Sequence, residues 1–208
     1  MGISLDLYDF FAHLVPGGFF LMAFLYGFQE NWLRSTAFSE LTTAQLIGLA
    51  IFSYVLGYVI DPLGHRWYRL FRGNIPKFAL SKSAVEQLSK NHPNVVVDTH
   101  AMSWYVVLAY IKRENLAMAR EIERFNVTHI MLRSISLGLL VFAIVFGSKV
   151  ITAENAPTQV LLSLLSMAAS YLIMQEAIKF RKWFYQSIYQ SALALKLTPD
   201  QLPISYRP

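Results

Sequence analysis

The sequence predicts an all-α integral membrane protein: four transmembrane helices, a helical cytoplasmic insert between helices 2 and 3, and helix extensions beyond the membrane. Three observations carry this reading. Hydrophobic residues fill 55% of the 208 positions and charged residues only 15%, where a soluble domain carries about 25% charged; mean hydropathy is +0.39. Four segments approach the roughly 20 apolar residues that cross a hydrocarbon layer. Lys and Arg gather between the second and third segments and after the fourth, and such positive flanks stay on the cytoplasmic side of a membrane. Both termini and the insert are therefore expected to be cytoplasmic.

The first segment, residues 10–28, follows "MGISLDLYDF", which has Asp6 and Asp9 but no Lys or Arg. A secretory n-region is positive, so this segment is expected to remain as a span. Pro16, Gly17 and Gly18 should kink or loosen it. The second segment, residues 44–61, ends at Asp61 and Pro62 and passes into "GHRWYRLFR". There Arg66, Arg69 and Arg72 are expected on headgroups, with Trp67 and Tyr68 in the aromatic belt. The third and fourth segments, residues 130–151 and 158–178, are joined by the polar loop "TAENAPT". Arg181, Lys182 and Trp183 mark the interface after the fourth. This divides the chain into a transmembrane hairpin (1–62), the insert (63–129), a second transmembrane hairpin (130–178) and a cytoplasmic helix and tail (179–208).

The insert begins loosely, with one short helix expected near residues 83–90, a short strand in "NVVVD" and a helix cap at Asp98 or Thr99. The pattern then sharpens. Trp104, Leu108, Ile111, Asn115, Met118, Ile122, Phe125 and His129 follow one another at alternating steps of four and three, the spacing of a heptad seam. With no Gly or Pro, residues 100–150 read as one helix or two nearly continuous ones, about 75 Å long. The seam has two readings: packing on the chain's own helix after the fourth span, or contact with another copy or a partner protein. A single Asn inside such a seam specifies pairing register.

Polar groups also recur near the span ends. His13, Asp61, His129, Arg133 and Glu176 are expected at one level toward the cytoplasmic face, because buried charges at that depth pair; Arg133 should meet Glu176, Asp61 or both. Such a layer sets helix register or acts as a gate or sensing layer. Ser53/Gly57, Ser134/Gly138, Ala143/Gly147 and Ser166/Ser170 are small pairs four residues apart, which suit close helix crossings.

Chemistry is sparsely signalled. There is no Cys, no phosphate-binding glycine loop and no paired-histidine zinc motif, and Arg124 and His129 alone make only a loose pairing. No enzymatic activity, cofactor or metal is expected. The net charge of +5 follows the membrane topology, so no direct nucleic-acid binding is expected.

The start "LYDFFAHLVPGGFFL", the second span closing in "YVLGYVIDPLGH", the basic insert and the two further spans resemble the KwaA-like four-span membrane components of Kiwa anti-phage systems. The resemblance implies an inner-membrane homo-oligomer, a tetramer in the favoured form, that senses infection. It also implies a soluble cytoplasmic DNA-binding partner of the KwaB kind, besides the membrane lipids. The same layout also suits a membrane-permeabilising effector or a subunit of a membrane enzyme or transporter.

Overall fold

The computed structural model describes residues 7–28, 42–72, 104–151 and 155–195. The expected short helix at 83–90, the "NVVVD" strand and the cap at Asp98 or Thr99 lie outside the described residues. Among those described there are five helices and no strand: α1 Leu7–Phe28, α2 Thr43–Phe71, α3 Trp104–Glu114, α4 Leu116–Lys149 and α5 Ala156–Ala194. All but α3 are long and apolar enough to cross a membrane.

α1 runs unbroken through Pro16. Gly17 and Gly18 do not open it; Gly17 instead marks where α2 approaches. α2 begins with a capping box, in which Gln45 N–H donates to the Thr42 hydroxyl and the Thr42 N–H donates to Gln45 Oε1 at 2.8 Å. These bonds serve amide donors that a first helical turn otherwise leaves unpaired. The helix does not stop at Asp61. It continues through Pro62 to Phe71, because a proline removes one N–H while Gly64 and Tyr68, on the opposite face, stay buried. At 29 residues it is about 43 Å long, more than the roughly 30 Å hydrocarbon core requires.

Of the two expectations for residues 100–150, one helix or two nearly continuous ones, the structure has two, separated only by Asn115, but they fold back there and do not run on in line. In a straight helix positions 112 and 123 stand about 16 Å apart, yet Lys112 Nζ lies 2.9 Å from Glu123 Oε1. Asn115 closes one helix and opens the next. Its N–H donates to the Ile111 carbonyl, its carbonyl accepts from Ala119, and its side-chain Oδ1 accepts from Met118 N–H at 3.1 Å. Asn is among the favoured N-cap residues because its short amide competes for backbone donors. It is exposed, so it is a cap and not a buried register residue.

The chain forms two compact units, one of Met1–Arg72 with Val127–Ile178, the other of Gly73–Asn126 with Lys179–Pro208. Their chemistry is opposite. In the first, Ser53, His129, Arg133, Ser134, Ser136 and Ser170 are buried, while Ile51, Val55, Val59, Leu161, Leu164 and Leu172 are at least half exposed. An apolar surface of this extent is unstable in water, and an interior of small and polar residues is the packing mode of helices in lipid. The second unit is built as for water. Val107, Ile111, Ala119, Ile122, Phe184 and Ile188 form its core, with Trp104, Leu108, Met118, Phe125, Tyr185, Ala192 and Leu195 packed around it. Lys112, Arg113, Arg120, Glu121 and Lys182 are exposed.

Within the membrane unit α4 is the hub. Gly138 receives Phe19 and Phe20 of α1, Gly64 of α2 lies against Ser134, and Gly147 faces Ser163 of α5. The α1–α2 crossing is closer still. A Cβ on Gly17 would overlap the Ser53 carbonyl, and one on Gly57 would overlap the His13 carbonyl, so the two backbones touch.

Candidate functional site: a polar stack along one face of α4

His129, Arg133 and Ser136 are spaced four and three apart on α4, which places them on one helical face. Together they fasten α4 to both α2 and α5. Ser136 Oγ donates to the Ser170 carbonyl at 2.7 Å, and Ser170 Oγ donates back to the Ser136 carbonyl at 2.7 Å. Trp67 of α2 adds its indole N–H to Ser136 Oγ at 3.1 Å. Three helices thus meet at one serine. A second serine bond, Ser163 Oγ to the Ala143 carbonyl at 2.8 Å, continues the α4–α5 seam.

One turn away, Arg133 reaches α2. Its Nη2 donates to both Asp61 oxygens, at 2.7 and 2.9 Å, and Nη1 donates to His65 Nδ1 at 3.3 Å. Because a guanidinium has donors only, His65 accepts at Nδ1 and is neutral in this arrangement. The Arg133 side chain is 10% exposed and that of Asp61 27%, so the cation is the more deeply desolvated partner. Of the two carboxylates expected near Arg133, Asp61 is the one joined to it here; Glu176 is an exposed residue of α5.

A further turn on, His129 is 1% exposed. Its Nδ1–H donates to the Ala177 carbonyl of α5 at 2.9 Å, which places a proton on Nδ1, and Tyr68 of α2 meets the ring edge-on at 4.7 Å. His13 stands at yet another level, against Tyr58 at 5.1 Å and Tyr54 at 6.0 Å, with its carbonyl beside Gly57. The groups expected in one layer therefore form a ladder. Measured along α2 from Gly57 to Tyr68 it extends about 16 Å.

The seam residues are filled from within the chain. Ile111 and Ile122 are buried on Phe184 and Ile188 of α5, with Trp104, Leu108, Met118 and Phe125 packed at the margin. Of the two readings of the seam, the structure therefore shows packing on the chain's own last helix, and Asn115 is outside it. Two expected interface anchors also turn inward. Trp67 gives its N–H to Ser136 and not to headgroups. Arg181 is held inside the second unit, donating to Asn126 Oδ1 at 2.6 Å and to the Tyr185 hydroxyl at 2.8 Å, with its guanidinium 4.7 Å from the Tyr185 ring and 5.1 Å from that of Phe184. Arg66, Arg69, Lys182 and Trp183 are exposed. Arg72 is half-buried and closes α2, its N–H donating to the Tyr68 carbonyl.

At the opposite end of the membrane unit, Tyr26 of α1 bonds Gln159 of α5, and the Lys149 ammonium lies 4.1 Å from the Tyr26 ring centre. Sequence reasoning overlooked this contact and the Ser136–Ser170–Trp67 junction. The junction had a usable signal, because Arg133 and Ser136 follow His129, the last seam residue, at further steps of four and three and so keep to one helical face,.

No protein-family model, curated protein or solved structure matches this chain. The fold defines the class: an all-α protein with four helices suited to cross a membrane, bonded to one another through buried polar groups.

Proposed function

We propose that this chain is an oligomeric inner-membrane protein of bacterial anti-phage defence, acting as a non-enzymatic sensor or scaffold that signals to a soluble cytoplasmic partner. The observation that carries the reading is that α4 and α5 each contribute, without a break, to both units. One unit has the surface of a lipid-embedded protein and the other that of a water-exposed one. A perturbation of the first can thus reach the second through two continuous helices, with no reaction at either end. The defence context rests on the resemblance of the first two spans.

The reading is tested in two parts. Purified protein in liposomes is expected to release neither potassium nor an encapsulated dye. In cells, restriction of phage is expected to require both this chain and a soluble neighbouring gene product, with the two crosslinking through the second unit. Leakage from liposomes would assign the chain as a pore-forming effector. Restriction by this chain alone would remove the signalling role.

A further inference from the structure

The outward face of α2 changes character along its length. Ile51, Val55 and Val59 are 60%, 51% and 66% exposed, and Pro62 follows on the same face. One turn beyond Pro62 come Arg66 and Arg69, both exposed, with Leu63 and the 75% exposed Leu70 flanking them. At 100° per residue the two arginines stand within about 50° of the direction opposite the buried stripe of Ser53, Gly57, Gly64 and Tyr68,. They point away from the bundle, toward whatever surrounds it. Among the described residues no carboxylate lies within ion-pair distance of either. Trp67, between them in sequence, is turned inward to Ser136 and does not screen them.

The helix length sets their depth. Starting at Thr43, the first 20 residues occupy about 30 Å, the thickness of a hydrocarbon core. Arg66 and Arg69 then fall in the headgroup zone, one turn apart, at the end of an uninterrupted apolar face. We infer that Arg66 and Arg69 form a binding site for the phosphate of an anionic phospholipid, whose acyl chain lies along Ile51, Val55, Val59 and Pro62. Guanidinium matches phosphate oxygens through paired N–H donors in a way ammonium does not, and the apolar face below the two arginines selects a lipid over free phosphate. The site is independent of the signalling role: it needs only that α2 spans the membrane.

The test is native mass spectrometry of protein released from nanodiscs containing equal phosphatidylglycerol and phosphatidylcholine. The wild type is expected to retain phosphatidylglycerol at least tenfold over phosphatidylcholine, as each arginine near an anionic surface contributes about a factor of five. Arg66→Gln with Arg69→Gln should erase the preference. Arg113→Gln, at an exposed position paired with Glu114, should leave it intact. Arg66→Lys with Arg69→Lys should retain a reduced preference, showing a loss of fork geometry and not of fold. Equal retention of the two lipids by the wild type would overturn the site, as would an unchanged preference in the double Gln variant. Displacement of the lipid by millimolar inorganic phosphate would overturn the role given to the apolar face.

Discussion

Replacing Gly57 with Ala should open the α1–α2 crossing. A Cβ at Gly57 would overlap the His13 carbonyl oxygen and come within 2.7 Å of its carbon, well inside the 3.4 Å at which ordinary contact begins. Both obstacles are backbone atoms, which cannot rotate aside as a side-chain tip can. The helices must therefore separate by about 1 Å or more, and a radial gap of 0.5–1 Å already forfeits a quarter to a half of the dispersion energy of each contact across it. Ala12, Pro16, Ser53 and Ile60 are buried in this hairpin, so the loss is collective. Overpacking in a close-packed core costs about 1–3 kcal/mol, and the rigid obstacle puts Gly57→Ala near the top, about 3 kcal/mol. That amounts to a fall of roughly 150-fold in the folded-to-unfolded ratio. Gly48, on the same helix, provides the control: a Cβ there meets nothing within 4 Å, and Ala should stabilise the helix by up to about 1 kcal/mol. The assay is unfolding in mixed detergent micelles followed by circular dichroism. Equal midpoints for the two variants would refute the argument.

Asp61→Ala leaves the desolvated Arg133 without its carboxylate and should cost about 3 kcal/mol; adding Arg133→Ala should recover part of that loss, and strict additivity in the same unfolding assay would count against the pair. Asn115→Leu should destabilise the α3–α4 turn by about 1 kcal/mol through loss of the cap, seen as faster amide exchange at residues 116–119, whereas a register residue inside a seam would be stabilised by the same change. Ile122→Glu puts a carboxylate into a site 2% exposed, among Ile111, Phe184 and Ile188. It should make residues 104–126 protease-sensitive while the protein still inserts, because the membrane unit is untouched.

Sequence alone revealed the four helices, because twenty apolar residues leave few alternatives. The fold-back at Asn115 was hidden for a physical reason. A four-three pattern records which residues are apolar on one face, and that face is the same whether Ile111 and Ile122 lie along a straight helix or oppose each other across a turn. Only the cap chemistry of Asn115 distinguishes the two, and an Asn inside a seam has a second established meaning. Pro62 ends the apolar span but not the helix: burial of Gly64 and Tyr68 carries α2 past it. Arg133 and Asp61 were legible as buried charges needing partners, since hydrocarbon cannot solvate them. Their neighbours were not, because which turn of α2 faces which turn of α4 depends on where Gly64 lets the helices approach. The inward turn of Trp67 follows from that same register and from Ser136.

The proposed topology, four spans with residues of the second unit in the cytoplasm, has a direct measurement. The native chain has no cysteine, so a single introduced one reports alone. Thr42→Cys precedes α2, Asn155→Cys precedes α5, and Arg120→Cys lies in the second unit; all three positions are exposed. With a membrane-impermeant thiol reagent on intact cells, positions 42 and 155 should label at once and position 120 only after the membrane is opened. Labelling of position 120 in intact cells, or identical behaviour at all three positions, would contradict the account.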